Sequence, residues 1–147
     1  MGYRSQVAYT IRFIAQDDAD EKIVSAKQAF FIFLAEAKSK EETALCFTPE
    51  EAEYLEVDED KLELRFYASD VKWYDEYIGV KCHEELISLS KEWSGESNIP
   101  FKGGNKQIGG AFARIGEDSD DNVEQVWGSG DYGWVGVNRS VYCDWKD

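Results

Sequence analysis

At 147 residues and 43% hydrophobic composition, the chain is long and apolar enough to form one domain, residues 1–147, with a packed core and no covalent staples. Thirty acidic residues against 16 basic ones leave a formal net charge of −14, which excludes direct binding to nucleic acid or anionic membrane through a broad surface. No apolar run approaches the roughly 18 residues of a membrane span, and no hydrophobic block with a small-residue cleavage site follows Met1, so a soluble, intracellular protein is expected.

From Gln6 to Ala15 apolar Val7, Tyr9, Ile11 and Phe13 alternate with Ala8, Thr10, Arg12 and Ile14, which predicts a strand. Asp18 and Glu21 have the spacing of a capping box and open a helix expected over about Ala19 to Ser39. Ile23, Ala26, Phe30, Phe33, Leu34 and Ala37 recur along it at three- and four-residue steps, and its middle, Phe30 to Leu34, is apolar almost all round. Thr48-Pro49-Glu50-Glu51 is a second capping signature and predicts a short helical turn.

Tyr54 to Tyr77 reads as strand, charged turn, strand and helix entrance. Leu62, Leu64 and Phe66 alternate with Glu63, Arg65 and Tyr67, and Asp58-Glu59-Asp60-Lys61 reverses the chain between antiparallel strands. Ser69 or Asp70 is placed to cap a second helix running from Val71 to Trp93, with Gly79 as its weak point. Ser94 to Gln107 is a flexible connection. A strand over Ile108 to Gly116 follows, whose Gly109, Gly110, Ala111 and Ala113 allow close approach of a helix. An acidic loop then leads to a last strand within Trp134 to Trp145, where Val135, Val137, Val141 and Cys143 alternate. The order predicts an α+β fold, with an antiparallel or mixed sheet of four to five strands and two main helices on one face.

Charge is unevenly spread. Nine acids and no base lie between Glu41 and Asp60, and five acids and no base between Glu117 and Glu124. Such runs are either a solvated face or an electrostatic surface aimed at a basic partner. Aromatic residues flank both: Trp73 and Tyr74 with Tyr77, and Trp127, Tyr132 and Trp134 around a glycine loop. They exceed what one helical or strand face can bury, and suit a hot spot that takes Arg or Lys from another protein.

Motifs that would dictate a chemistry are weak. Gly128-Ser129-Gly130-Asp131-Tyr132-Gly133 matches the glycine string of dinucleotide sites, but a strand-like segment follows it and Asp131 would repel phosphate, so it reads as a loop. Cys46, Cys82 and Cys143 are odd in number and far apart, as suits reduced thiols, with no CxxC or HxxxH spacing. His83 is the only histidine and reads as a surface or half-buried helical residue; its neighbour Cys82 points about 100° away around the helix. Glu117, Asp118, Asp120 and Asp121 form the best cluster for a cation, but lack the calcium-loop pattern and an entering helix. No cofactor and no metal is expected.

Met1-Gly2-Tyr3-Arg4-Ser5-Gln6-Val7, Val71-Lys72-Trp73-Tyr74, Ala113-Arg114-Ile115-Gly116-Glu117-Asp118 and Arg139-Ser140-Val141 together resemble a group of small proteins encoded by tailed phages and prophages. The resemblance is scattered over most of the chain and carries no catalytic residues. It implies a setting in the host cytoplasm, where small acidic phage proteins bind host proteins, block a defence enzyme or are sensed by host immunity.

The expectation is therefore a non-enzymatic accessory protein that binds a host or anti-phage defence protein with a basic surface. The contact would use Glu50, Glu51, Glu53, Glu56, Asp58, Glu59, Asp60, Trp73, Tyr74, Glu117, Asp118, Asp120, Asp121, Trp127, Tyr132 and Trp134. A sharper version is a DNA-mimic inhibitor of a nucleic-acid enzyme. From other classes come a small hydrolase using a metal held by residues 117–121, which would need His83 to converge on that loop, and an accessory that oligomerises through an apolar patch.

Overall fold

The alternation from Val7 to Phe13 places its strand at the centre of the structure rather than on an edge. The computed structural model describes residues 5–13, 26–47, 55–71, 73–74, 77–94, 108–117, 121–128, 130, 133–137 and 141–145. Strand β1 (Ser5–Phe13) pairs on one side with β3 (Glu63–Val71) and on the other with β4 (Ile108–Ile115), both antiparallel. The short β2 (Glu56–Asp58) and β5 (Asn122–Gly128) complete a five-stranded antiparallel sheet of order β2-β3-β1-β4-β5. The expected α+β architecture is the one observed.

Period-two side chains divide the sheet into two faces. Val7, Tyr9, Ile11 and Phe13 of β1 join Leu64, Phe66 and Ala68 of β3 under the helices α1 (Ala26–Ser39) and α3 (Ile78–Ser94). Phe13 meets Phe30 and Phe33 of α1 and Trp93 of α3, all with ring centroids between 5.5 and 6.2 Å. Each large side chain buried here contributes about 1.5–3 kcal/mol of transfer free energy. Trp93 is fully buried and its indole N–H donates to Glu36 Oε2 at 3.2 Å, tying α3 to α1. The run Phe30 to Leu34 is not enclosed all round: Phe30, Phe33 and Leu34 face the sheet, whereas Phe31 and Ile32 are exposed.

The opposite face is also covered. A two-stranded hairpin, β6 (Val135–Val137) and β7 (Val141–Cys143), packs Val135, Val141 and Cys143 on Ala8, Ala111 and Ala113. The region expected to be one last strand is thus a hairpin. The small residues Ala111 and Ala113 make room for this hairpin, not for a helix. Gly110 faces the helix side, but what fills its space is Trp127 of β5.

Two further expectations are corrected. Val71 ends β3 instead of opening a helix, and α3 begins only at Ile78. Between Ser5↔Val71 and Val7↔Ala68 the register slips, so Ser69 and Asp70 sit in a β-bulge; the residues that resemble a helix cap are the extra residue of a bent strand. Gly79 accordingly lies in the first turn of α3, not in its middle. Residues 122–128, taken as part of an acidic loop, form edge strand β5.

The β2–β3 reversal is as expected. Asp58 accepts from the backbone N–H of Asp60 at 3.1 Å and of Lys61 at 3.0 Å, and Leu62, at φ 58, turns the chain back. The described part of the first helix begins at Ala26; its expected start at Ala19, and the turn at Thr48 to Glu51, fall outside the described residues. Between them the chain forms a short helix α2 (Glu41–Ala44) and a 3-10 turn (Leu45–Phe47) that sequence patterning did not signal. Thr43 fixes this segment by donating to the carbonyl of Ala37, and the turn buries Cys46.

Candidate functional site

The two acidic segments occupy diagonally opposite corners of the sheet. The β2–β3 turn lies beyond Arg12, which pairs with Glu63; the β4–β5 turn lies beyond Gln6, which pairs with Ile115. Strands β3, β1 and β4 separate their edges. With strands about 4.8 Å apart and about 3.3 Å per residue, the corners are roughly 25–30 Å from each other. They are two surfaces, not one.

At the first corner Glu56, Asp58, Glu59 and Asp60 line a depression of about 720 Å³ together with Lys38, Phe47 and Arg65. Arg65 lies across it, 2.7 Å from Glu56 Oε1 and 3.0 Å from Asp58 Oδ2. Two of the four carboxylates are therefore partly neutralised from within, while Glu59 and Asp60 are exposed on the turn. Asp58 has its carboxyl held below the usual aspartate range, first by the Lys61 backbone N–H and further by the Arg65 charge and the Asp60 N–H. Glu50, Glu51 and Glu53, expected at this surface, lie outside the described residues.

At the second corner a groove of about 690 Å³ runs between α3 and the β4–β5 edge. Trp73, Tyr74, Glu84, Lys91, Arg114 and Asp121 line it, so three of the expected contact residues do come together. Asp121 is held by a two-pronged contact from Arg114, at 2.7 and 3.1 Å, and Glu117 is exposed at the turn. Asp118, Asp120 and Tyr132 lie outside the described residues.

One aromatic expectation fails. Trp127 is buried: its ring lies under α3, its N–H donates to Ser90 Oγ at 2.8 Å and Lys91 Nζ stands 5.3 Å above it. Trp134 is half-buried, with the Arg12 guanidinium 4.3 Å from its ring centre. Arg12 also pairs with Asp144 beside the β6–β7 hairpin and with Glu63 of β3. Trp127 is enclosed because β5 lies against α3, and Trp134 rests on Arg12 beside the hairpin, packing that neighbouring residues in sequence do not reveal.

His83 overturns its expectation most fully. It is not on the surface but 1% exposed, with Phe66 centred 4.3 Å away and Trp73 stacked at 5.7 Å. Tyr9 Oη is 2.5 Å from its Nδ1. Burial drives the Tyr9 phenol well above its ordinary range, so the hydroxyl keeps its proton, and the imidazole tautomer sets the direction of its hydrogen bond to Nδ1. His83 is not among the residues that line the groove with Asp121.

Cys46 and Cys82, far apart in sequence, meet beside it. Their sulfurs and a ring nitrogen of His83 all lie within 4.8 Å of one another. The adjacent positions of Cys82 and His83 on α3 do not keep their ligand atoms apart. Cys82 Sγ also donates to the carbonyl of Gly79 at 3.0 Å. The hydrogen bond between the two thiols raises Cys46 above the thiol range, with burial adding to it, and lowers Cys82. The one sequence signal of this cluster was the pairing of a cysteine with the chain's single histidine.

Comparison with protein-family models, with curated proteins and with solved structures finds no match to this chain. Among the described residues no helix is long and apolar enough to cross a membrane.

Proposed function

We propose that this chain is an accessory protein of the phage kind its sequence resembles, acting by binding a host or anti-phage defence protein that presents a basic surface. The β2–β3 corner is the contact. The observation that supports it is the gathering of Glu56, Asp58, Glu59 and Asp60 around one depression on a sheet edge. Charges on an edge strand also discourage sheet-to-sheet association, and that role needs no partner. What favours recognition is the presence of Glu59 and Asp60 on the outer side of a turn already shaped by Asp58, where an incoming Arg or Lys meets carboxylates whose backbone is fixed. Binding either inhibits the partner or is sensed by it. The DNA-mimic version places a nucleic-acid cleft on the same carboxylates.

The test is capture of partners from host lysate on the immobilised full chain at low and high salt, with the doubly reversed Glu59→Lys, Asp60→Lys chain in parallel. A basic protein held at low salt, released at high salt and lost by the variant supports the reading and names the partner. An empty eluate at both salts, or a partner indifferent to the reversal, overturns it.

A further inference from the structure

We propose that Cys46, Cys82 and His83 form a binding site for a zinc-class cation, with the Tyr9 hydroxyl positioning the histidine. The donor set argues for the metal class. Thiolate sulfur with imidazole nitrogen selects Zn²⁺ over the oxygen-seeking Mg²⁺ and Ca²⁺. The donors come from separate parts of the fold, Cys46 from the 3-10 turn and Cys82 with His83 from α3, with Tyr9 reaching in from β1. All three donors are buried, at 1% exposure for Cys46 and His83 and 2% for Cys82.

The separations are close to what a metal requires. Tetrahedral zinc with sulfur at about 2.3 Å and nitrogen at about 2.1 Å holds its donors about 3.6–3.8 Å apart. The observed upper bound of 4.8 Å therefore calls for a contraction of at most about 1 Å. Tyr9 supplies what a ligating histidine ordinarily has: with Nε2 on the metal, the His83 Nδ1–H donates to the Tyr9 hydroxyl, which fixes the ring. On binding, both thiols lose their protons to solvent and the cation takes the two sulfurs and the imidazole nitrogen, with no redox change.

Its consequence is structural. The cation would fasten the segment formed by α2 and the 3-10 turn to α3 and the sheet, inside the core, next to Phe47 at the base of the acidic corner. The inference does not depend on the proposed partner binding.

The test loads metal-free, reduced full-length protein with Co²⁺ and then displaces it with Zn²⁺. One equivalent is expected to give thiolate-to-cobalt charge transfer in the near ultraviolet and tetrahedral bands in the visible, both erased by Zn²⁺. The signal should vanish in Cys46→Ser and Cys82→Ser, and persist in Cys143→Ser, whose thiol lies on the opposite face of the sheet. Tyr9→Phe should weaken binding about 10–100-fold. A folded protein without the charge-transfer band, or a band that survives both serine variants, overturns the proposal. Should those variants fail to fold, X-ray absorption on the zinc-loaded natural chain decides: two sulfurs around zinc uphold the site, and an all-oxygen shell overturns it.

Discussion

Gly110 and Trp127 face each other across the β4–β5 ladder so closely that a methyl group on Gly110 would stand 2.2 Å from the indole ring. The ring has little freedom to retreat, since Ser90 holds its N–H and Lys91 lies over its face. Gly110→Ala is expected to destabilise by about 1–3 kcal/mol or more, the usual penalty of overpacking. Thermal unfolding measures it, at about 2–4 °C for each kcal/mol in a chain of this size. An unchanged midpoint would mean that the indole swings aside.

The Ser90 hydroxyl accepts the indole N–H of Trp127 and itself donates to the carbonyl of Ile87 at 2.7 Å. Ser90→Ala leaves a buried N–H without that acceptor, at a cost of about 1–3 kcal/mol. The same loss should appear in chemical denaturation with an unchanged m-value. A neutral result would show that the N–H finds another acceptor.

Arg12 joins three parts of the fold: Glu63 on β3, Trp134 before β6 and Asp144 after β7. Arg12→Gln should loosen the β6–β7 hairpin by about 1–3 kcal/mol while leaving the five-stranded sheet formed. Hydrogen exchange distinguishes the two, with faster exchange expected at Val135 and Cys143 and little change at Tyr9 or Phe66. Uniform acceleration throughout the chain would contradict a local role for Arg12.

Acid should weaken the β2–β3 turn through Asp58. Its carboxyl titrates lower in the folded chain than in the unfolded one, chiefly because the Lys61 N–H binds the charged form. The stability it contributes is thus complete above the ordinary aspartate range, near pH 3.9, and is lost as pH falls through the depressed folded value. Asp58→Asn should remove that part of the acid sensitivity, as read from the difference between the two unfolding midpoints at neutral pH and near pH 3. Parallel curves for the two chains would eliminate Asp58 as a contributor.

How far the sequence reveals this molecule depends on whether local or distant residues decide each element. β1 and the β2–β3 reversal are legible because Val7 to Phe13 and Leu62 to Tyr67 carry a clean period of two around a polar turn. β5 is not, because an edge strand is wet on much of its surface and Asn122, Glu124 and Gln125 are exposed beside buried Trp127. Ser69 and Asp70 suggest a helix cap on local grounds, yet pairing of Ser5 with Val71 keeps the chain extended around a bulge. Of the expected contact residues, Glu56 to Asp60 gather because they are neighbours on one turn. Trp127 leaves the surface because distant residues cover it, and Trp134 is half-covered by Arg12. In the Cys46, Cys82 and His83 cluster only the Cys82-His83 neighbourhood is visible in the sequence, and the arrival of Cys46 is tertiary.

The central position of β1 also bears on how the protein is made. Strand β1 finds one neighbour in β3 and the other in β4, about a hundred residues later in the chain. Until Ile108 to Ile115 emerge, the nascent chain carries a strand with one flank open, so the sheet is completed only after they are made. Non-local closure of this kind slows folding, and translation that stalls before β4 would leave an adhesive strand instead of a partly useful domain.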